Sequence, residues 1–389
     1  MKIPTFDVDL FSPEVMSDPF EAYRELRDLA PVCEMPRHGL YAMGRHADVR
    51  AALNNWADFT SADGVALNEI CNGFMRGTPI ASDPPDHTRF RSLLARPLEP
   101  KLLARLRGRL AELADARVRE TVGAGPIDAM TNIAQLLPLQ VISELVGLPE
   151  EGRQRMLIWA DAGFNAMGPA NIPHTDRALP EMGEMVSYIC DPELPGRFRE
   201  GSWAAELWTF VDSGELSAEA AQSILQGYVT PSLDTTIFAL GTILWLLANN
   251  PDQWRRLKDD PRLVTRCINE GLRIEGPARG FSRVATRDIA FGDYSLPKGA
   301  RVMTVLPAAN RDERRYADPD RFDIGRDASD HVGFGGGIHR CVGGNLAMLE
   351  LTVMLEAIVR EVSEIRLIDA ERVDHAVLRG FKRLKVSLH

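Results

Sequence analysis

The chain has 389 residues, 45% of them hydrophobic, enough apolar material for a sizeable core in one large domain or two ordinary ones. Its formal net charge of −10 argues against general affinity for nucleic acid. The five cysteines (Cys33, Cys71, Cys190, Cys267 and Cys341) are odd in number and widely spaced with no C-x-x-C pair, so neither a disulfide framework nor a zinc site is indicated.

The first residues, Met1 to Asp7, do not read as a signal peptide. The longest apolar run, Ile237 to Ala248, is too short to span a bilayer. A cytoplasmic protein without a membrane anchor is the expectation. Glu21 to Leu29 reads as a helix closed by Ala30-Pro31. Strand-like pieces follow at Val32–Met35 and Gly39–Met43, then a helix at His46–Asn54. Residues 61–80 are polar and glycine-containing and read as a surface loop. At Ser82-Asp83-Pro84-Pro85 the prolines set a helix start, and His87 and Arg91, four apart, share its face as a double donor for a carboxylate. Arg96, Lys101, Arg105, Arg107 and Arg109 form a basic cluster on an acidic protein, either a solvated face or a docking patch for an acidic redox partner.

Residues 102–147 read as two helices, the second being Leu136–Val146 before Gly147-Leu148-Pro149. Trp159 to Asn171 mixes aromatic and small residues with Gly-Pro, which breaks a helix. Ser217 to Asn249 reads as a helix of about nine turns with Ser217 as N-cap. Pro231 interrupts it, removing a backbone hydrogen bond and kinking the chain where Ser and Thr can bond back to the carbonyls. Glu270 and Arg273, three apart, are spaced for a buried ion pair. Last comes Phe334-Gly335-Gly336-Gly337-Ile338-His339-Arg340-Cys341-Val342-Gly343-Gly344, running into a helix over Asn345–Arg360. Cys341 therefore sits near free N–H groups and the positive end of a helix, which lowers a thiol pKa and suits a metal-ligating thiolate.

The pattern Phe-Gly-Gly-Gly-x-His-x-Cys-x-Gly resembles the haem-binding loop of the cytochrome P-450 superfamily, soluble bacterial type. Asp-Pro-Pro-x-His-x-x-x-Arg, Asp234-Thr235, Glu-x-x-Arg and Pro319-Asp320-Arg321-Phe322 match the family in the same order. The resemblance implies a mainly α fold, a triangular prism of about a dozen helices with small β-sheets at one edge. It implies a single domain over 1–389, with a β-rich edge mainly within 30–60 and 281–310 and a helical body over 82–280 and 341–362. It makes Cys341 the axial ligand of haem b, in a loop with Phe334 and Gly335. His87 and Arg91 are assigned to one propionate, Arg283 and His339 to the other. Asp234 and Thr235 become the acid and alcohol of oxygen activation, although Pro231 and Ser232 replace the family's small-residue pair. Glu270, Arg273 and Arg321 become a structural network. Phe74, Phe164, Phe281, Ser282 and Phe381 become pocket residues, with Ala278 beside them and Arg279 as the candidate to anchor a carboxylate.

The implied function is haem-thiolate monooxygenation, using O2 and electrons from a separate NAD(P)H-dependent reductase with or without an iron–sulfur ferredoxin. The segments around Phe164 and Asp234 also look like those of bacterial members that O-demethylate methoxyarenes, so a small aromatic ether is the expected substrate. Hydroxylation of a terpene or fatty-acid-like substrate, an H2O2-driven peroxygenase and a thiolate-haem gas sensor are the alternatives. Asp234-Thr235 argues against the peroxygenase, and the chain has no room for an appended signalling domain.

Overall fold

The two segments expected to supply β structure meet in one sheet. In the computed structural model, which describes residues 1–389, β1 (Cys33–Met35), β2 (Leu40–Met43) and β3 (Phe59–Thr60) join β5 (Gly280–Ala285) and β8 (Arg301–Val305) in the order β1-β2-β8-β5-β3. Only β2 and β8 are parallel. A parallel pair needs a long crossover, and here most of the helical body lies between the two strands. A hairpin, β6 (Ile289–Phe291) and β7 (Tyr294–Leu296), extends this edge.

The strands of a second sheet were not located from the sequence: β4 (Pro126–Asp128), β10 (Phe381–Leu388) and β9 (Ile365–Arg372), in the order β4-β10-β9. Two register shifts between β9 and β10 break the alternation of buried residues, so no clean period of two survives in this lysine- and arginine-rich segment. β4 also lies between the helices Arg107–Thr121 and Leu136–Val146, in a stretch read as helical throughout.

Residues 61–80, read as a loop, hold the helix Glu69–Met75. The Asn68 side chain caps it, accepting the Cys71 N–H at 2.8 Å. Seven residues are too few for a 3.6-residue period to show. The helix expected to break within Trp159–Asn171 runs from Glu150 to Asn165 and ends there.

The long element at Ser217–Asn249 is two helices, Ala218–Val229 and Asp234–Asn249, separated by Thr230–Leu233. Ser217 caps the first through the Ala220 N–H. Pro231 has no N–H to continue the ladder, and side chains fill in: Ser232 Oγ donates to the Tyr228 carbonyl and Thr235 Oγ1 to the Pro231 carbonyl, the latter at 3.0 Å. The element is apolar and long enough to cross a membrane, with a mean hydropathy of 1.4, but 72% of its apolar window is buried inside the protein. It is the central core helix, packed between Val264–Glu275 and Gly344–Glu361.

Glu270 and Arg273 form the expected ion pair, at 2.7 Å with both side chains fully buried. The third member is not Arg321, whose side chain is 63% exposed and faces Asp323 at 3.8 Å. Arg326 takes that place, donating Nε to Glu270 Oε1 at 3.2 Å. Arg321 contributes only its carbonyl, which accepts from Arg273.

Candidate active site

The loop before the last helix is shaped by backbone that few side chains tolerate. Gly335 and Gly337 have φ of +69° and +60°, and a Cβ on Gly337 would collide with the Leu53 carbonyl. Cys341 N–H donates to the Phe334 carbonyl at 2.8 Å, which closes the loop and presents the sulfur at the floor of a deep cavity. The helix begins at Gly344, three residues on. Burial pushes the Cys341 thiol pKa up. The N–H groups of Gly343 and Gly344 and the charges of Arg91 and Arg340 offset this only in part. This corrects the expectation that the helix end alone would lower it.

At one side of the cavity three donors line the wall, Arg91, Arg283 and His339, and a fourth, His87, packs against His339. His87 is buried and His339 half-buried, with ring centroids 4.4 Å apart, and the Nε2 of each is buried with no hydrogen-bond partner. Burial, then Arg283, His87 and Arg91, hold His339 down at about 3. Burial first, then Arg91, lowers His87. Arg283 is buried with no carboxylate in ion-pairing distance, and burial lowers its pKa to about 10. Arg91 is half-buried and donates to the Arg340 carbonyl. Unpaired buried cations and orphaned donors are costly unless an anion answers them. The set fits two carboxylates on a flat group lying over Cys341, as haem requires.

On the opposite wall stands the break in the core helix. Thr235, Pro231 and Ser232 line the cavity. Asp234 is buried behind them, with Oδ2 unpartnered and its pKa raised to about 7 by burial first and by the charge of Asp161 second. The two members of the pair thus differ: the alcohol faces the cavity and the acid is buried behind its wall.

Of the expected pocket residues, Phe164, Phe281 and Ala278 line the cavity. Phe74 does not; it is 43% exposed on the outer face of its short helix, while Cys71 and Met75 point in. Ser282 does not, because side chains on a strand alternate: Phe281 and Arg283 face the cavity, and Ser282 Oγ donates to the Ala66 carbonyl on the other side. Phe381 packs in the second sheet, its ring 5.6 Å from Trp245 and 3.9 Å from the Arg372 guanidinium. Arg279 is buried elsewhere, donating to Tyr23 Oη and to the Ala376 and Leu10 carbonyls, so it is not available to anchor a ligand.

Two features escaped the sequence reading. Met75, Met167, Met182 and Met185 line the cavity with Cys71, whose sulfur lies 3.8 Å from those of Met75 and Met182. Three separate segments supply them, and only Met182 and Met185, three apart, left a helical signal. Glu350 also lines it, with Oε1 unpartnered and its pKa raised to about 8 by burial. An acid in one stripe with Leu346 and Met354 was the available sign.

A cytochrome P450 family model matches residues 211–364, from the core helix through the cysteine loop. The chain is 34% identical to cytochrome P450 CYP199A2 of Rhodopseudomonas palustris, over 99% of this chain and 95% of that one. It belongs to the cytochrome P450 family. It is also 32% identical to the vitamin D(3) 25-hydroxylase of Pseudonocardia autotrophica, over 98% and 96% of the two chains. The P450 CYP109Q5 from Chondromyces apiculatus superposes with a TM-score of 0.82 at 28% identity, over 98% of each chain. This P450 is accordingly a haem b monooxygenase that uses O2 and electrons from a redox partner. Its expected prism of helices with small sheets at one edge is the fold observed.

Proposed function

We propose that this P450 forms one catalytic domain and hydroxylates the methyl carbon of a small, uncharged aromatic ether. The product hemiacetal collapses to a phenol and formaldehyde. The observation that carries this reading is the chemistry of the cavity wall. Phe164 and Phe281 offer flat apolar faces, and the four methionines offer polarisable sulfur, which packs well against aromatic edges. The only cations lining the cavity are Arg91 and Arg283, both committed to the propionate side. A carboxylate substrate would be buried there unpaired, at a cost. The similarity to CYP199A2 along nearly the whole chain is consistent with this reading.

Bound haem supplies the oxygen activation that no side chain here provides. Cys341 would hold its iron. His87 with Arg91, and Arg283 with His339, would clamp its two carboxylates and so fix the plane of the ring. Thr235, its proton donated to the Pro231 carbonyl, offers its lone pairs to the cavity to order a proton-bearing water. Asp234 stores the proton behind it. The phenylalanines and methionines exclude water and turn the methoxy group toward the centre.

The test is a spin-state titration followed by formaldehyde assay with a surrogate reductase. Guaiacol-type ethers are expected to bind at least about tenfold tighter than methoxybenzoates, about 1.4 kcal/mol, and to release formaldehyde. A spectral shift with a terpene or fatty acid and none with the ethers would overturn the aromatic reading.

Electrons are proposed to enter on the face beneath Cys341, where Arg91, Arg340 and Asn345 border a surface hollow. Lys101 and Arg105 are exposed nearby without an ion pair, whereas Arg107 and Arg109 are paired with Glu356 and Glu144, and Arg96 covers the Phe210 ring. Reversing the charges of Lys101 and Arg105 should slow reduction at low salt and leave substrate affinity unchanged. Unchanged reduction would reduce the patch to a solvated surface.

A further inference from the structure

Cys71 is a buried thiol whose neighbours are sulfur rather than oxygen. Cys33 Sγ, by contrast, lies 3.9 Å from the Leu26 and Ala30 carbonyls. Cys71 Sγ lies 3.8 Å from both Met75 Sδ and Met182 Sδ, so the acceptors in its reach are thioethers. All three side chains line the cavity. Cys71 and Met75, four apart, share one face of the helix Glu69–Met75, and Met182 reaches them from the helix Pro173–Ile189.

The short helix is held before any ligand arrives. Asn68 Oδ1 accepts the Cys71 N–H at 2.8 Å, and Asn68 Nδ2 donates to the Ala166 and Gly168 carbonyls, both at 2.7 Å. Asn72 Oδ1 accepts the Ala66 N–H at 2.9 Å. Only the unbranched methionine side chains need adjust to a guest.

A thiolate with thioethers is the donor set that soft metal ions prefer and hard ones avoid. With metal–sulfur bonds of about 2.3 Å, three ligands around one ion stand about 4.0 Å apart, close to the separations from Cys71. Charge narrows the choice. Burial holds Cys71 as a thiol, its pKa pushed up to about 12, and no charged group acts on it. A binding ion must displace that proton, since the thiolate is the ligand. A monovalent ion leaves the site neutral. A divalent one would leave a net positive charge buried in an apolar wall.

We propose that Cys71, Met75 and Met182 form a site for a monovalent soft metal ion of the Cu(I) class, and that the bound ion lowers substrate affinity. A metal–sulfur bond replaces the S–H bond, and each thioether donates a lone pair. The displaced proton leaves to solvent, and no electrons are transferred. Once they ligate the ion, Met75 and Met182 are no longer free to pack on a substrate. The site does not depend on which substrate the enzyme takes.

The test is an anaerobic Cu(I) titration of the haem-loaded protein against a chromophoric Cu(I) chelator, in a Cys190→Ser background that removes the exposed cysteine away from the cavity. One Cu(I) per haem is expected, with copper X-ray absorption showing three sulfur neighbours at about 2.3 Å. The ferrous–CO band should be unchanged, because Cys341 keeps the iron. Cys71→Ser should lose the ion. Met182→Leu, similar in volume, should bind it at least about tenfold more weakly, since even outer-shell changes weaken metal sites that much. Zn(II) should not be retained. Copper loading should raise the half-saturating concentration of whichever ligand gives a spin shift, and should not do so in Cys71→Ser. Failure to retain copper, retention that survives in Cys71→Ser, equal retention of Zn(II), or loss of the ferrous–CO band on loading overturns the site. Unchanged ligand affinity in the loaded parent overturns its effect on binding. The copper measurements use no substrate, so their failure is distinct from failure of the aromatic-ether reading.

Discussion

Cys341→His is expected to abolish the strongly red-shifted Soret band of the ferrous–CO protein and to reduce product formation to background. Two cysteines line the cavity, Cys71 and Cys341, and the sequence alone favours only one of them. Cys71 sits among sulfurs with its pKa pushed up to about 12 by burial, and no charge relieves it. Cys341 also pays for burial, but Arg91, Arg340 and two backbone N–H groups favour its anion. A ferric ion would complete that stabilisation. Three of the four propionate donors, His87, Arg91 and Arg283, belong to other segments, so the histidine variant should still take up haem while losing the thiolate spectrum. Cys71→Ser should keep the band. Retention of the band in Cys341→His, or its loss in Cys71→Ser, would refute the assignment.

The second large effect is on stability. Glu270 is fully buried and answers two guanidinium groups, Arg273 and Arg326, besides accepting the Asp323 N–H at 3.1 Å. Glu270→Ala leaves buried cations without a counter-charge, which costs about 3–5 kcal/mol in comparable buried pairs. Arg326→Ala should be strongly destabilising as well, since it also removes donors to the Ala317 and Asp318 carbonyls. Arg321→Ala removes an exposed side chain and should stay within about 0.5 kcal/mol of the parent. Urea unfolding followed by loss of the haem Soret band measures all three. If Arg321→Ala proves as costly as Arg326→Ala, the network has been drawn wrongly.

That pair of arginines shows where reading a chain without its fold goes astray. Arg321 lies in the family-like Pro-Asp-Arg-Phe string and Arg326 does not. Yet which guanidinium reaches a buried carboxylate depends on how an irregular segment folds back, and no periodicity reports on that. Ser282 went wrong for a simpler reason, since its neighbours Phe281 and Arg283 had already claimed the cavity face of the strand. Phe74 and Phe381 failed because an aromatic residue signals burial somewhere, not burial at one site.

What the sequence determined by itself is local chemistry. The glycines with φ above zero, the cysteine among them, the His87–Arg91 helix face, Pro231 in the core helix and the Glu270–Arg273 spacing are all set within a few residues, by backbone sterics and helical period. Only the tertiary structure decided what those pieces face. It placed Asp234 behind the wall and Thr235 in it, and turned Arg279 away from the cavity toward Tyr23 and Leu10. It gathered four methionines from three segments onto one surface. Such contacts arise from the packing of distant elements, and an amino-acid pattern with periods of two and 3.6 residues carries no term for them.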